Sequence, residues 1–168
     1  MAMLTNSASF ARSLSSLWDN PVEAITYKDT CDLFEGHWSF ARVTGHELPL
    51  GPNFAPGITY PLMAPLGISE TGTSAGAAAA IEAALSVMCL ASVFVLTPPA
   101  VASGVPLPTP GGKATPGLLT TALTIIFTNG ALADSSTARL VANEIIAYLA
   151  GWTLNVTIGP TTTPQVII

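Results

Sequence analysis

Residues 74–96 read SAGAAAAIEAALSVMCLASVFVL, and this stretch decides how the rest of the chain is interpreted. Its only charge is Glu82, it contains no proline, and Thr97, Pro98 and Pro99 follow it directly. Several of its residues recur at the spacing of one helix face: Ile81, Leu85, Met88, Ser92 and Val95. The stretch predicts a central helix over residues 70–97, surrounded by other parts of the protein.

A membrane-spanning helix is the competing interpretation, because an uncharged run of about eighteen or more residues is typical of such helices. Glu82 interrupts the run, and a carboxylate inside lipid costs a few kcal/mol. No Lys or Arg lies between Arg42 and Lys113 to anchor the ends. The buried helix is therefore favoured. A membrane hairpin, with residues 74–96 leading out and 117–133 back, stays open as an alternative.

The composition predicts association with other proteins. The chain has 168 residues, which suits one domain with an appendage. Only 9% of the residues are charged and 49% are hydrophobic, whereas about a quarter are charged in an ordinary soluble domain. Monomeric proteins keep exposed apolar patches small. We therefore expect a homo-oligomer or co-assembly with other subunits.

The charge distribution argues against direct nucleic-acid binding. The net charge is −5, and the five cations are single and scattered: Arg12, Lys28, Arg42, Lys113 and Arg139. Cys31 and Cys89 lack CxxC spacing and are predicted to be two buried thiols. The first residues carry no apolar secretory segment, so the product is expected to be made in the cytoplasm.

Residues 1–68 predict an extended N-terminal arm. It includes a short amphipathic helix over residues 4–18, a strand over 37–43 and a strap over 47–67 that is rich in Pro and Gly. Such a strap is expected to drape over a neighbouring subunit, and a long loop on its own domain is the equal alternative. Four aromatic side chains of the arm are predicted to lie at the interface: Trp38, Phe40, Phe54 and Tyr60.

Residues 69–159 predict a helical core followed by a strand, and residues 160–168 a short extended tail. Pro116 and Asn129-Gly130 bracket a helix over 116–129, with a buried strand as its alternative. Asp134 caps a second helix over 135–150, and residues 100–112 are expected to form an exposed loop. With the central helix, these elements predict an α+β fold built on a three-helix core.

The strand over residues 152–158 alternates apolar and polar side chains. Its apolar face carries Trp152, Leu154, Val156 and Ile158, which are predicted to be interface residues. A single strand is not stable alone, so its partner must be the tail at 165–168, the arm at 37–43, or a strand of a neighbouring subunit. We favour the neighbour, because edge-to-edge pairing supplies affinity without charge.

One polar cluster could in principle carry chemistry: Asp29, Cys31, Asp32, Glu35, His37, His46 and Glu47. Its spacing matches no zinc template, and nothing in the sequence positions an oxyanion donor beside a Cys–His pair. The cluster is therefore interpreted as the solvated part of a charge-poor chain. We predict no catalytic residue, cofactor, metal site or small-molecule substrate, and keep a small metal-dependent enzyme as an alternative.

The arm-then-core layout, the composition rich in Ala, Thr and Pro, and the ending ALADSSTARLVANEIIAYLAGWTLNVTIGP resemble small structural proteins of tailed bacteriophages. Such proteins include capsid accessory, neck and tail components. The resemblance implies a non-enzymatic subunit of the virion, made in the host cytoplasm, whose partners are copies of itself and other virion structural proteins.

Overall fold

Six helices and three strands make up the part of the chain that the computed structural model describes, which is residues 7–19, 23–46, 51–67, 74–130 and 134–168. The helices are α1 (Ser7–Asp19), α2 (Glu23–Trp38), α3 (Tyr60–Met63), α4 (Ser74–Leu90), α5 (Leu118–Asn129) and α6 (Ser135–Leu149). A 3-10 turn (Ala64–Gly67) follows α3. The strands are β1 (Val101–Pro108), β2 (Trp152–Ile158) and β3 (Thr161–Val166). This mixture of helices with an antiparallel sheet confirms the general α+β prediction.

The N-terminal helices lie in the same core as the C-terminal ones. Helix α1 packs against both α6 and α2. Four large side chains of α1 and α2 are buried: Phe10, Leu14, Phe34 and Trp38. The finer prediction of a three-helix core with an extended arm is therefore not confirmed. The helix expected over residues 4–18 is present as α1, although residues 4–6 lie outside the described part. The strand expected over 37–43 is wrong, because α2 continues through Trp38.

The strap lies on its own chain wherever it is described. Asn53 exchanges two backbone hydrogen bonds of 2.9 Å with Val93, and Glu35 of α2 accepts hydrogen bonds from the backbone N–H groups of Gly57 and Thr59 at 2.8 and 3.1 Å. Residues 47–50 lie outside the described part. For residues 51–67 the structure agrees with the alternative prediction of a loop on its own domain.

The central helix is shorter than predicted. Helix α4 ends at Leu90, and a turn at Ala91 and Ser92 leads into a non-helical segment over 93–97; residues 70–73 lie outside the described part. Ser92 has a structural role at this transition, because its hydroxyl donates to Met88 O at 2.7 Å and accepts from Trp38 Nε1 at 2.7 Å. After Ser92 the side chains alternate as in a strand, with Phe94 and Leu96 buried.

The strand β2 is the middle strand of the sheet, in the order β1-β2-β3, and both of its neighbours are antiparallel. Its partners lie in the predicted loop at 100–112 and in the predicted tail at 160–168. Because both edges of β2 are paired within the chain, the prediction that it pairs with a neighbouring subunit is wrong. From the sequence, the C-terminal tail is one possible partner of this strand, whereas a loop is predicted where β1 lies.

A carboxylate accepts hydrogen bonds at the N-terminal turn of both α5 and α6. Asp134 accepts from Ser136 N and caps α6 as expected. Residues 118–129 form helix α5 rather than the alternative strand. The carboxylate of Glu82 on α4 accepts hydrogen bonds of 2.6 Å from Gly117 N, Thr120 N and Thr120 Oγ1. It thereby satisfies donors of the first turn of α5, which have no partner within their own helix.

We expect Glu82→Ala to lower the free energy of unfolding by about 2 kcal/mol, because the substitution leaves three partly buried donors without an acceptor. Urea unfolding followed by circular dichroism measures the change. The matched control is Glu144→Ala, since Glu144 forms only an exposed ion pair with Lys113 at 3.4 Å. Equal stability losses in the two variants would contradict a special role for Glu82.

Candidate functional site

The exposed residues between positions 74 and 101 carry no charge. Along α4 they recur at helical spacing, and after Leu90 they continue through a turn and the segment over 93–100 into β1. This uncharged surface consists of Ala75, Gly76, Ala79, Ala83, Val87, Leu90, Ala91, Val93, Val95, Thr97, Pro98, Pro99 and Val101. Its most exposed large side chains are Val93, Val95 and Val101; Val93 is 59% and Val95 66% exposed. The single charge of the stretch, Glu82, is turned inward to α5.

The outer face of the sheet is also without charge. Residues paired directly across a sheet point to the same side, so the register places three rows on this face: Val101, Thr157 and Thr162; Ser103, Asn155 and Pro164; Leu107, Thr153 and Val166. All nine side chains are exposed or half-buried. They offer hydroxyl, amide and aliphatic groups for contact.

Both outer strands are poorly suited to pairing edge to edge with another chain. In β1 the register shifts between Ser103 and Leu107, where Gly104 has φ +86°. At the end of β3, Val166 and the following Ile168 direct backbone groups away from β2, toward Thr44 and Arg42. Because orientation alternates along a strand, the backbone of Pro164 is directed to the same side as that of Val166, and proline has no N–H to donate. Bulges and prolines at sheet edges discourage strand addition.

The eight residues predicted to form the interface are found in three environments. Trp38, Trp152, Leu154 and Val156 are buried in the core of their own chain, which corrects the expectation that they face a partner. Phe54 and Tyr60 are half-buried. Phe40 and Ile158 are exposed. Alternation identified which strand residues share a face, but could not show that the face is covered by the chain's own helices.

The polar cluster between residues 29 and 47 is largely structural. Glu35 is bound to the 57–59 loop, where it also accepts from Thr59 Oγ1 at 2.7 Å, and Asp32 accepts from the Tyr60 hydroxyl. Glu47 lies outside the described residues. Among the residues that the structure describes, no three His, Cys, Asp or Glu side chains are grouped so that they could hold a metal ion.

Both cysteines are free and buried. Burial raises the pKa of the Cys31 thiol to about 11, although a hydrogen bond with Thr59 opposes the shift. Burial also raises the pKa of Cys89 well above its ordinary value. Since the thiolate is the reactive form, neither residue is suited to act as a nucleophile at neutral pH.

A polar groove runs between α1 and α6. We call it the α1–α6 groove; it has a volume of about 870 Å³ and is lined by residues of both helices, including Arg12, Ser16, Ser136, Arg139 and Asn143. It brings together two of the chain's five cations, which are 127 positions apart in the sequence and were interpreted there as scattered. The sequence carried no signal for this juxtaposition, because it depends on how α1 packs against α6.

No protein-family model matches this chain, and no curated protein or solved structure does either. Among the described residues, no helix combines the length and apolar character needed to cross a bilayer.

His37 gives the protein a pH-dependent stability. It is buried against Phe10, with ring centroids 4.6 Å apart, and its Nε2 has no hydrogen-bond partner among the residues that the structure describes. Burial lowers the pKa of His37 below 6.5, so the unfolded chain takes up the proton first. The free energy of unfolding should therefore fall as pH drops below 6.5 and level off once His37 is protonated in the folded chain.

We expect His37→Leu to remove this part of the pH dependence between about pH 7 and 5. Chemical unfolding at a series of pH values gives the slope for each variant. His46→Gln is the matched control and should keep the wild-type slope, because His37 is still present. An unchanged slope in His37→Leu would contradict the assignment.

Proposed function

We propose that this protein is a non-enzymatic structural subunit of a tailed-bacteriophage particle, which assembles with copies of itself and with other virion proteins. The uncharged surface between residues 74 and 101 is the observation that carries the proposal. The resemblance in layout and composition to capsid accessory, neck and tail components supports the virion as its location.

The uncharged surface favours burial against protein. Covering the side chain of a Val or Leu stabilises a complex by about 1.5–3 kcal/mol when the side chain passes from fully exposed to fully buried. Four such side chains lie between Val87 and Val95, and their exposed fractions range from 37% to 66%. Because aliphatic area of this kind is costly to leave in water, a stable contact with another subunit is the favoured state.

Contact through faces is better supported than strand addition. The middle strand β2 has no free edge, and the outer strands carry a bulge and Pro164 where another strand would have to pair. The outer sheet face and the uncharged surface meet at Val101, which belongs to both. We infer that subunits associate by packing these uncharged faces.

We expect the double substitution Val93→Lys and Val95→Lys to weaken self-association by about tenfold or more, because association would then bury two charges. Sedimentation velocity over a range of protein concentrations measures the effect, and circular dichroism verifies that the variant is folded. The control is Leu140→Lys, which adds a charge at a residue of α6 that is 54% exposed and lies outside the uncharged surface.

A wild-type chain that stays monomeric at tens of micromolar would contradict self-assembly. The virion location has a separate test, which is mass spectrometry of particles purified from the phage that encodes the chain. Absence of the protein from those particles would contradict the virion role even if the purified chain self-associates.

A further inference from the structure

The α1–α6 groove concentrates positive charge in a chain that is acidic overall. Arg12 and Arg139 both line it and both are exposed. Among the described residues neither guanidinium has a carboxylate at ion-pair distance. The ion pair that the described residues do form joins Lys113 to Glu144, outside the groove. The hydroxyl of Ser16 and the amide of Asn143 add hydrogen-bonding groups beside the two arginines, whereas the Ser136 hydroxyl already donates to Asp134. The groove therefore suits an anionic group from outside the chain, since guanidinium groups bind carboxylates well.

A complementary pair of carboxylates lies elsewhere on the same chain. Asp29 and Asp32 are one turn apart on α2, so they share a face of that helix. Phe34 and His37 of α2 contact Phe10 of α1. At 100° per residue, this places both aspartates on the side of α2 away from α1. They therefore do not line the groove of their own chain. Asp32 is exposed and Asp29 is half-buried, with the exposed Lys28 beside them on α2.

We propose that the α1–α6 groove of one subunit binds the Asp29–Asp32 face of a second copy of this chain. The inference rests on the proposed self-assembly and adds its geometry. The two guanidinium groups of the groove would meet two carboxylates, so their numbers match; Asp134, which binds Ser136, lies beside the groove. Nucleic acid is disfavoured as the occupant, because the net charge of −5 repels a polyanion.

The two surfaces are different parts of the molecule, so the contact is head to tail. Such a contact is heterologous, and repetition closes a ring or continues as an open filament, depending on the rotation between successive copies. Each subunit then uses its groove toward one neighbour and its aspartate face toward the other.

Charge reversal on each side gives a complementation test with the full-length chain. In the first variant Arg12 and Arg139 are both replaced by Glu, and in the second Asp29 and Asp32 are both replaced by Arg. Each variant alone has like charges on its two surfaces, so we expect self-association to weaken by about tenfold or more. An equimolar mixture restores opposite charges at every contact, and should recover the association of the wild type in sedimentation velocity.

Two matched controls accompany the test. Lys113→Glu also reverses a cation, but at a position outside the groove, and should associate like the wild type. Because Asp32 accepts from Tyr60, Asp29→Arg alone repeats the second variant without disturbing that bond, and circular dichroism verifies the fold of every variant. The wild-type association should weaken as NaCl rises from about 0.05 to 0.5 M, since salt screens exposed charges.

The outcomes separate the contact from the self-assembly on which it rests. If the charge-reversed variants still associate like the wild type, or if the mixture does not recover, the groove contact is overturned while self-assembly stands. If the wild type is itself monomeric, both are overturned. If the Arg12→Glu and Arg139→Glu variant assembles normally but loses inorganic phosphate bound by the wild type in calorimetry, the groove is a phosphate site and the contact between copies is wrong.

Discussion

The buried carboxylate of Glu82 is the constraint on which the central part of the molecule depends. It holds the first turn of α5 against α4 through Gly117 and Thr120. Glu35 does the same for the 57–59 loop, again with two backbone N–H groups and a threonine hydroxyl. A buried carboxylate is tolerated only when its hydrogen bonds are made, so each site fixes the position of a second segment. Since Glu82 is directed inward, the stretch from 74 to 101 presents no charge to its surroundings.

Elements with local signals were predicted well from the sequence. Asp134 marks the start of α6, Asn129-Gly130 marks the end of α5, and strict alternation identifies β2 from Trp152 to Ile158. Each signal arises within a few residues of the element and needs no distant contact. Helix α2 was missed for the opposite reason. Its sequence, EAITYKDTCDLFEGHW, has no single apolar face, because α2 contacts α1 on one side and the 57–59 loop on another.

The sheet and the surfaces depend on tertiary contacts that the sequence does not announce. The sequence of β1, VASGVPLP, has the glycine and prolines of a loop, and it becomes a strand by pairing with β2 on both sides of a bulge. The apolar periodicity of α4 predicted a helix surrounded by protein, yet Val87 and Leu90 remain exposed. Periodicity shows which residues share a face. Whether that face is covered depends on the positions of all the other elements.

The two kinds of surface in this molecule have different physical roles in an assembly. Aliphatic area supplies affinity but little direction, because the hydrophobic effect is not directional. Charge pairs contribute less affinity when exposed, but they select the partner surface and its orientation. A subunit that exposes Val93 and Val95 on an uncharged surface, and keeps two of its five cations in one groove, has both. The apolar contact alone would permit many relative orientations, whereas the proposed contact between the groove and an acidic face would restrict the neighbours to one. In the proposed assembly, that restriction would turn association of a charge-poor chain into ordered assembly rather than aggregation.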